Sequence, residues 1–259
     1  MLEYRYLFGQ LVRRELRQRY KGSALGILWY LVNPLLLMGV YGLLFGVLLK
    51  ARGTSTHDYL LFLFVGLIVW LFFSQSLLAG ASSLLEQSAL VARVRFPRET
   101  VPASVVTVQL VTFCALLALA LLVAVALRGT GVGLVLLVPL VVCLYAFALG
   151  LALVVSILHA YFRDVQPILA AVLLPWFFLS PIFFQPSQVS GIAHRHWLEI
   201  LLNWGNPVAP FIRALRSVVF DGTVPSAGVL AYVVIAAALA LAIGLTLFRR
   251  LEDELAVVL

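Results

Sequence analysis

Charge is scarce in this sequence, and with it most of the chemistry that side chains do in water. Asp, Glu, Lys and Arg make up 11% of the 259 residues, where a soluble domain carries about 25%. Hydrophobic residues make up 63%, and the mean hydropathy is +1.09. A larger core cannot hide that excess, because a globule of this size still needs a polar skin. Six windows hold no charge at all: Gly22–Leu49, Tyr59–Leu85, Val101–Leu127, Gly129–Phe162, Val165–His194 and Gly222–Phe248, the shortest of 27 residues. Spanning a hydrocarbon core takes about 20 apolar residues as a helix, whereas barrel strands alternate polar and apolar over about 10. The chain reads as an all-α integral membrane protein with six transmembrane helices. A soluble enzyme, a nucleic-acid binder and a β-barrel are excluded.

Lysine is nearly missing. Lys21 precedes Gly22 and Lys50 precedes Ala51, so the phosphate-cradling G-x-x-x-x-G-K-[ST] loop cannot occur. The chain is not an ATP-driven motor by itself. No Asp, Glu, Lys or Arg falls deep in a predicted span, where ion-coupled carriers place their relays, and His159 belongs to a helix end. That disfavours a proton-driven carrier and leaves backbone-coordinated sodium open. Cysteine is just as rare. Cys114 and Cys143 fall near the middles of the third and fourth spans and read as small apolar fillers, with no disulfide framework. The outer histidines His57, His194 and His196, with Asp58, Glu199 or Asp221, make a poor metal or hydrolytic set. His194 and His196 lack the i, i+4 spacing that puts two ligands on one helix face. No catalytic, cofactor or metal residue is expected.

The charges that exist are unevenly placed. With six alternating spans and a cytoplasmic N-terminus, twelve Lys and Arg fall inside and six outside, the bias that orients membrane proteins. Both termini are therefore expected in the cytoplasm, and residues 1–21 do not read as a cleavable signal. Leu7, Phe8, Leu11, Val12, Leu16 and Tyr20 recur at helical spacing, opposite Gln10, Arg13, Arg14, Arg17, Gln18 and Lys21. That is a basic amphipathic helix for the membrane interface. One domain, residues 1–259, follows: the interface helix at 1–21, spans at 22–49, 59–82, 102–127, 132–158, 165–184 and 226–248, and an outer region at 185–225.

Some spans are irregular. Asn33-Pro34 removes a backbone hydrogen bond from the first span and predicts a kink. Gly39, Gly42 and Gly46 there, and Ala236, Ala240 and Gly244 in the sixth, form small-residue faces for close helix packing. Pro167, Pro175, Pro181 and Pro186 punctuate the fifth span, whose regular helix is expected to end near Phe184. In the outer region, His196–Asn203 and Val208–Phe220 are amphipathic and too short to span, which predicts interfacial or re-entrant helices. Aromatics are plentiful, with 5 Trp, 9 Tyr and 17 Phe. Trp29, Tyr30, Tyr41, Trp176, Phe177 and Phe178 lie in the first and fifth spans, where rings can pack or can stack on sugar faces. The loop from Glu86 to Thr100 mixes Leu90, Val91, Val94 and Phe96 with Arg93, Arg95 and Arg98, a short knob suited to docking.

Ser23-Ala24-Leu25-Gly26-Ile27-Leu28-Trp29, followed by Asn33-Pro34, resembles the S-x-L-G-x-x-W…P entry to the first span of polysaccharide-exporting ABC-2 permeases. Leu90–Arg98, with Glu99 and Pro102, resembles that family's loop between the second and third spans, and Arg163-Asp164 and Asn206-Pro207 fit as well. The resemblance runs the full length. It implies a channel-forming homodimer in the inner membrane, with ATP and magnesium bound by a separate ATPase and a lipid-linked O-antigen-like glycan as cargo. It implies ATPase coupling through Glu86, Gln87, Leu90, Val91, Arg93, Phe96 and Arg98. It implies a path along the first and fifth spans, lined by the six aromatics above, and a gate formed by the outer helices. An ABC-2 exporter of drugs or other lipids shares the plan and is the nearest alternative. An ion-coupled flippase is another, and so is a membrane-embedded glycan transferase, although Asp164 and Glu199 fall on opposite sides of the predicted topology.

Overall fold

A computed structural model describes residues 5–20, 29–44, 56–93, 96–184 and 196–252. Helices and short connections make up all of it, with no strand among the described residues. In chain order the helices are α1 (Arg5–Tyr20), α2 (Trp29–Tyr41), α3 (Thr56–Glu86), α4 (Ser88–Arg93), α5 (Thr100–Arg128) and α6 (Leu137–Tyr161). They continue as α7 (Val165–Leu179), α8 (His196–Ile200), α9 (Ala209–Val219) and α10 (Ala227–Leu251). Among the described residues four helices are long and apolar enough to cross a membrane: α3, α5, α10, and α6 with the 3-10 turn Val132–Leu136 before it. The windows 59–82, 102–127 and 132–158 lie within these four, as does 226–248 from Ala227 onward. The first and fifth windows hold shorter apolar helices, α2 and α7 respectively, the former extended by a wider turn at residues 42–44. Residues 22–28 and 45–49, with Gly46 and most of the entry motif, lie outside the described residues.

α3 is the axis of the bundle. Its sequence is apolar on nearly every side, as a helix packed among others requires, and 83% of its apolar window is buried against 28% in α5, α6 and α10. Those three each turn one face to the core and leave the rest to lipid. α6 and α10 pack most extensively, and glycines set their approach. Gly150 lies against the backbone of Ala240 and Leu241, and Gly244 lies against the backbone of Gly150, so neither site has room for a Cβ. The small-residue face of α10 thus has its counterpart in α6. The corresponding face in α2 is used only in part: Gly42 meets Leu60 of α3, while Gly39 faces open space.

Side-chain ties close both ends. At one, Arg128 pairs with Asp58 at 2.5 Å and lies 3.9 Å over the Phe220 ring. There the Gly131 and Gly222 backbones touch, and Gly222 takes φ +66°, a conformation that favours glycine. At the other, Leu84, Phe96, Val101, Leu153, Ile157 and Phe248 form a second buried cluster. Arg249 pairs with Glu99 at 3.2 Å, and the Tyr161 hydroxyl donates to the Leu251 carbonyl at 3.0 Å. α1 packs on α5 at this end. Its apolar face turns inward, with Leu11 buried and Gln10, Arg13, Arg14 and Arg17 exposed.

One boundary differs from expectation. α7, the helix of the fifth predicted span, stops at Leu179 instead of near Phe184. Ser180 precedes Pro181, and the proline ring forces the residue before it out of the α region. Ser180 is accordingly extended, at φ −84° and ψ 143°. Pro175 does not end the helix. Cys114 is exposed, Cys143 is half-buried, and both are free thiols.

Candidate substrate path and coupling surface

The path residues split into two groups. Tyr41 of α2 meets Phe177 at 5.6 Å between ring centroids and Phe183 at 5.0 Å. Phe178 stacks on Phe183 at 6.0 Å and keeps one face exposed. This cluster joins α2 to the point where α7 ends. Trp29 is also exposed. Phe177, by contrast, is buried, and Trp176 turns inward against Trp70 and Phe73, at 6.0 and 5.4 Å. As the chain stands, those two rings are packing groups. The Tyr30 side chain lies outside the described residues.

Trp176 also holds a polar knot. Its indole Nε1 donates to Asn206 Oδ1 at 3.0 Å, Asn206 Nδ2 donates to Ser180 Oγ at 2.9 Å, and Ser180 Oγ donates to the Trp176 carbonyl at 2.9 Å. The Val208 amide adds a bond to Asn206 Oδ1 at 3.1 Å. The knot fastens the end of α7 to the start of α9. Asn206-Pro207 carries part of the family resemblance, and this is the structural work that Asn206 does.

A second clamp was not foreseen from the sequence, where Arg216 counts only as an outer charge. α9 is no surface helix: Phe211, Ile212, Leu215 and Val218 are almost fully buried, and it packs on α3, α6 and α10. Arg216 is buried with them and donates to the carbonyls of Phe62 at 3.1 Å, Pro181 at 2.5 Å and Ile182 at 2.6 Å. Its guanidinium carbon lies 3.5 Å over the Phe62 ring. Gly66 of α3 leaves the space, since a Cβ there would strike the guanidinium. Burial lowers its proton affinity, yet an arginine stays cationic near neutral pH. A signal existed in the sequence. Arg216 stands four residues after Ile212 and three before Val219, on the apolar stripe of the helix, where a charge needs a built site.

The coupling residues also divide. Phe96 is buried in the chain's own second cluster, and Leu90 packs partly against it. Arg98 donates to the Glu252 carbonyl, and Gln87 is buried with Oε1 unpartnered. Phe96, Leu90 and Arg98 brace the α4–α5 connection against the end of α10. Glu86 and Ala89 are exposed at the same end. The side chains of Val91 and Arg93 lie outside the described residues, as do those of His57, His194, His196 and Glu199. Among the described residues no three His, Cys, Asp or Glu side chains gather as a metal site. His159 lies in the last turn of α6, buried, with Nδ1 unpartnered.

A family model described as ABC-2 type transporter matches residues 6–220. Over 228 residues the chain is 32% identical to the O-antigen export system permease protein RfbA of Myxococcus xanthus, covering 88% of this chain and 85% of that one. It is 25% identical over 259 residues to RfbA of Klebsiella pneumoniae, covering 98% and 96%. To the polysialic acid transport protein KpsM of Escherichia coli it is 26% identical over 253 residues, covering 95% and 93%.

Proposed function

The chain belongs to the ABC-2 type transporter family, and on that premise we propose that it is the transmembrane subunit of an ATP-driven polysaccharide exporter. The cargo is a lipid-linked, O-antigen-like glycan. The unit is a homodimer in the inner membrane, each copy with six spans and both termini in the cytoplasm. In this reading α2 and α7 are the first and fifth spans and α1 is the interface helix. α8 and α9 belong to the outer gate, the latter set into the bundle. ATP and magnesium bind on a separate ATPase subunit, and this chain supplies no catalytic group.

The observation that carries the proposal is the joint of Tyr41, Phe177, Phe178 and Phe183 between the two shortest apolar helices. A polymer of many sugars needs a continuous wide pore, and one such bundle does not provide it. Two copies joined along α2 and α7 make a seam whose rings can hold sugar faces through many weak contacts. The exposed residues Leu36, Val40, Ile168, Val172 and Leu174 give the second copy an apolar surface. Docking of the ATPase falls to α4 and Glu86, at the end that also holds α1.

The test is transport in vesicles containing the chain and its P-loop ATPase. ATP should drive the lipid-linked glycan across, and an ATPase variant unable to hydrolyse should stop it. Glycan transport without nucleotide, driven by an ion gradient, would overturn the proposal.

A further inference from the structure

A cavity of about 160 Å³ opens between α2, α3 and α5, away from the joint of α2 and α7. Its lining includes the Trp29 indole with four uncharged polar side chains from three helices: Asn33, Gln75, Gln109 and Thr112. Gln75 is exposed on the most deeply buried helix of the protein, between Ser74 and Ser76, which are both buried. At 1.5 Å per residue it lies about 16 Å along α3 from Glu86, and Gln109 lies about 14 Å along α5 from Thr100. The cavity is therefore within the hydrocarbon layer, on the side of α1. Neither Asn33 nor Gln75 has a side-chain hydrogen bond among the described residues. An amide facing lipid without a partner is costly, so two of them beside one cavity call for an occupant.

We propose that this cavity binds one uncharged sugar ring of the exported glycan as it enters the bilayer from the α1 end. Three features select that ligand. A carboxamide presents donors and an acceptor side by side, which matches the adjacent hydroxyls of a sugar. No charged side chain lines the cavity, so a phosphate would find no counter-ion there. The volume suits one six-membered ring, since a cavity of about 150 Å³ holds benzene, and the half-exposed Trp29 indole supplies a flat apolar face. Thr112 donates its hydroxyl proton to the Val108 carbonyl, which leaves its oxygen free to accept. The site rests on the export reading and adds to it a binding place outside the dimer seam.

The test uses the full chain assembled with its ATPase in lipid nanodiscs. The probe is tritiated octyl β-glucoside below its micellar concentration, and octanol is the sugarless control. Asn33→Leu/Gln75→Leu, with Thr112→Val as a milder second variant, removes hydrogen bonds but keeps apolar volume suited to lipid. Loss of two hydrogen bonds should weaken saturable glucoside binding about ten- to thirtyfold, leaving octanol binding and the dimer unchanged. Unaltered glucoside binding in both variants, or an equal loss for octanol, overturns the proposal. So does dissociation into single copies, which would assign the amides to a contact between protomers. Transport separates this site from the export reading. If the unmutated complex exports glycan and the double variant does so with the same KM, the site alone fails. If glucoside binding depends on the amides but the complex exports no glycan, the export reading fails and a sugar site remains.

Discussion

Arg216 Nη2 donates to the Ile182 carbonyl at 2.6 Å, so a buried cation is held by backbone oxygens and not by a carboxylate. Pro181 makes this possible. By ending α7 it frees the carbonyls of residues 181 and 182 from helical bonding, and α9 delivers the guanidinium to them. The end of α7 at Pro181 and the charge in α9 are two halves of one device. It fixes α9 to α3 and α7 where the aromatic joint with α2 begins.

Removing the cation leaves those carbonyls buried and unpaired. Each of the three carbonyls without that donor costs about 1–3 kcal/mol, and no longer burying a cation offsets only part of it. Arg216→Met should therefore destabilise the purified protein by about 3–5 kcal/mol. Arg216→Lys should recover only part of this, because an ammonium cannot reach three carbonyls in the plane of the fork. Denaturant unfolding in detergent measures both. A loss below about 1 kcal/mol in Arg216→Met would mean that the clamp contributes little.

Sequence reading works here where one physical effect dominates. The helices α3, α5, α6 and α10 follow from long uncharged windows, because hydrocarbon tolerates only internally bonded backbone. The two faces of α1 follow from the spacing of Leu7, Leu11 and Arg14. α7 ends at Leu179 and not near Phe184 because Pro181 forces Ser180 out of the α region, although the apolar run continues through Phe184. Whether Trp176 or Phe178 is exposed depends on partners outside α7, Asn206 thirty residues on and Phe183 just past the helix end, and helical period alone cannot choose them. Arg216 was legible only as a charge on an apolar stripe, and its three carbonyl partners come from two other segments.

The α6–α10 contact offers a cleaner test of packing. Gly244→Ala puts a methyl group into the Gly150 backbone, and overpacking costs about 1–3 kcal/mol. Gly39→Ala meets open space and should be neutral or stabilising by up to about 1 kcal/mol through helix propensity. Unfolding of the two variants side by side checks this, and equal effects would contradict the packing.

Coupling is better probed at Ala89 than at Leu90. Leu90→Asp disturbs the chain's own second cluster, so failure to assemble would have two explanations. Ala89 is exposed on α4, and Ala89→Arg leaves that cluster intact. A bulky charge in a docked knob should weaken ATPase binding about tenfold or more, roughly 1.4 kcal/mol, with the unfolding midpoint unchanged. Pull-down of the ATPase at graded concentrations reads the first, and detergent unfolding the second. Normal ATPase affinity and normal export in this variant would remove α4 from the interface.

The aromatic residues can be sorted by the same separation of stability from transport. Trp176→Ala opens a cavity beside Trp70 and Phe73 and leaves Asn206 Oδ1 without its indole donor, so it should destabilise by about 3–5 kcal/mol. Phe178→Ala and Trp29→Ala remove exposed rings and should change stability by less than about 1 kcal/mol. If rings along α2 and α7 guide sugars, these two variants should slow glycan export several-fold while ATP binding and dimer assembly stay normal. The seam itself is tested with single cysteines at Gly39 of α2 and Leu174 of α7, both exposed, in a background lacking Cys114 and Cys143. A crosslink between copies at Gly39 places α2 at the seam, and one at Leu174 places α7 there. If neither position crosslinks, and both exposed-ring variants export at the normal rate, the glycan takes another route through the dimer.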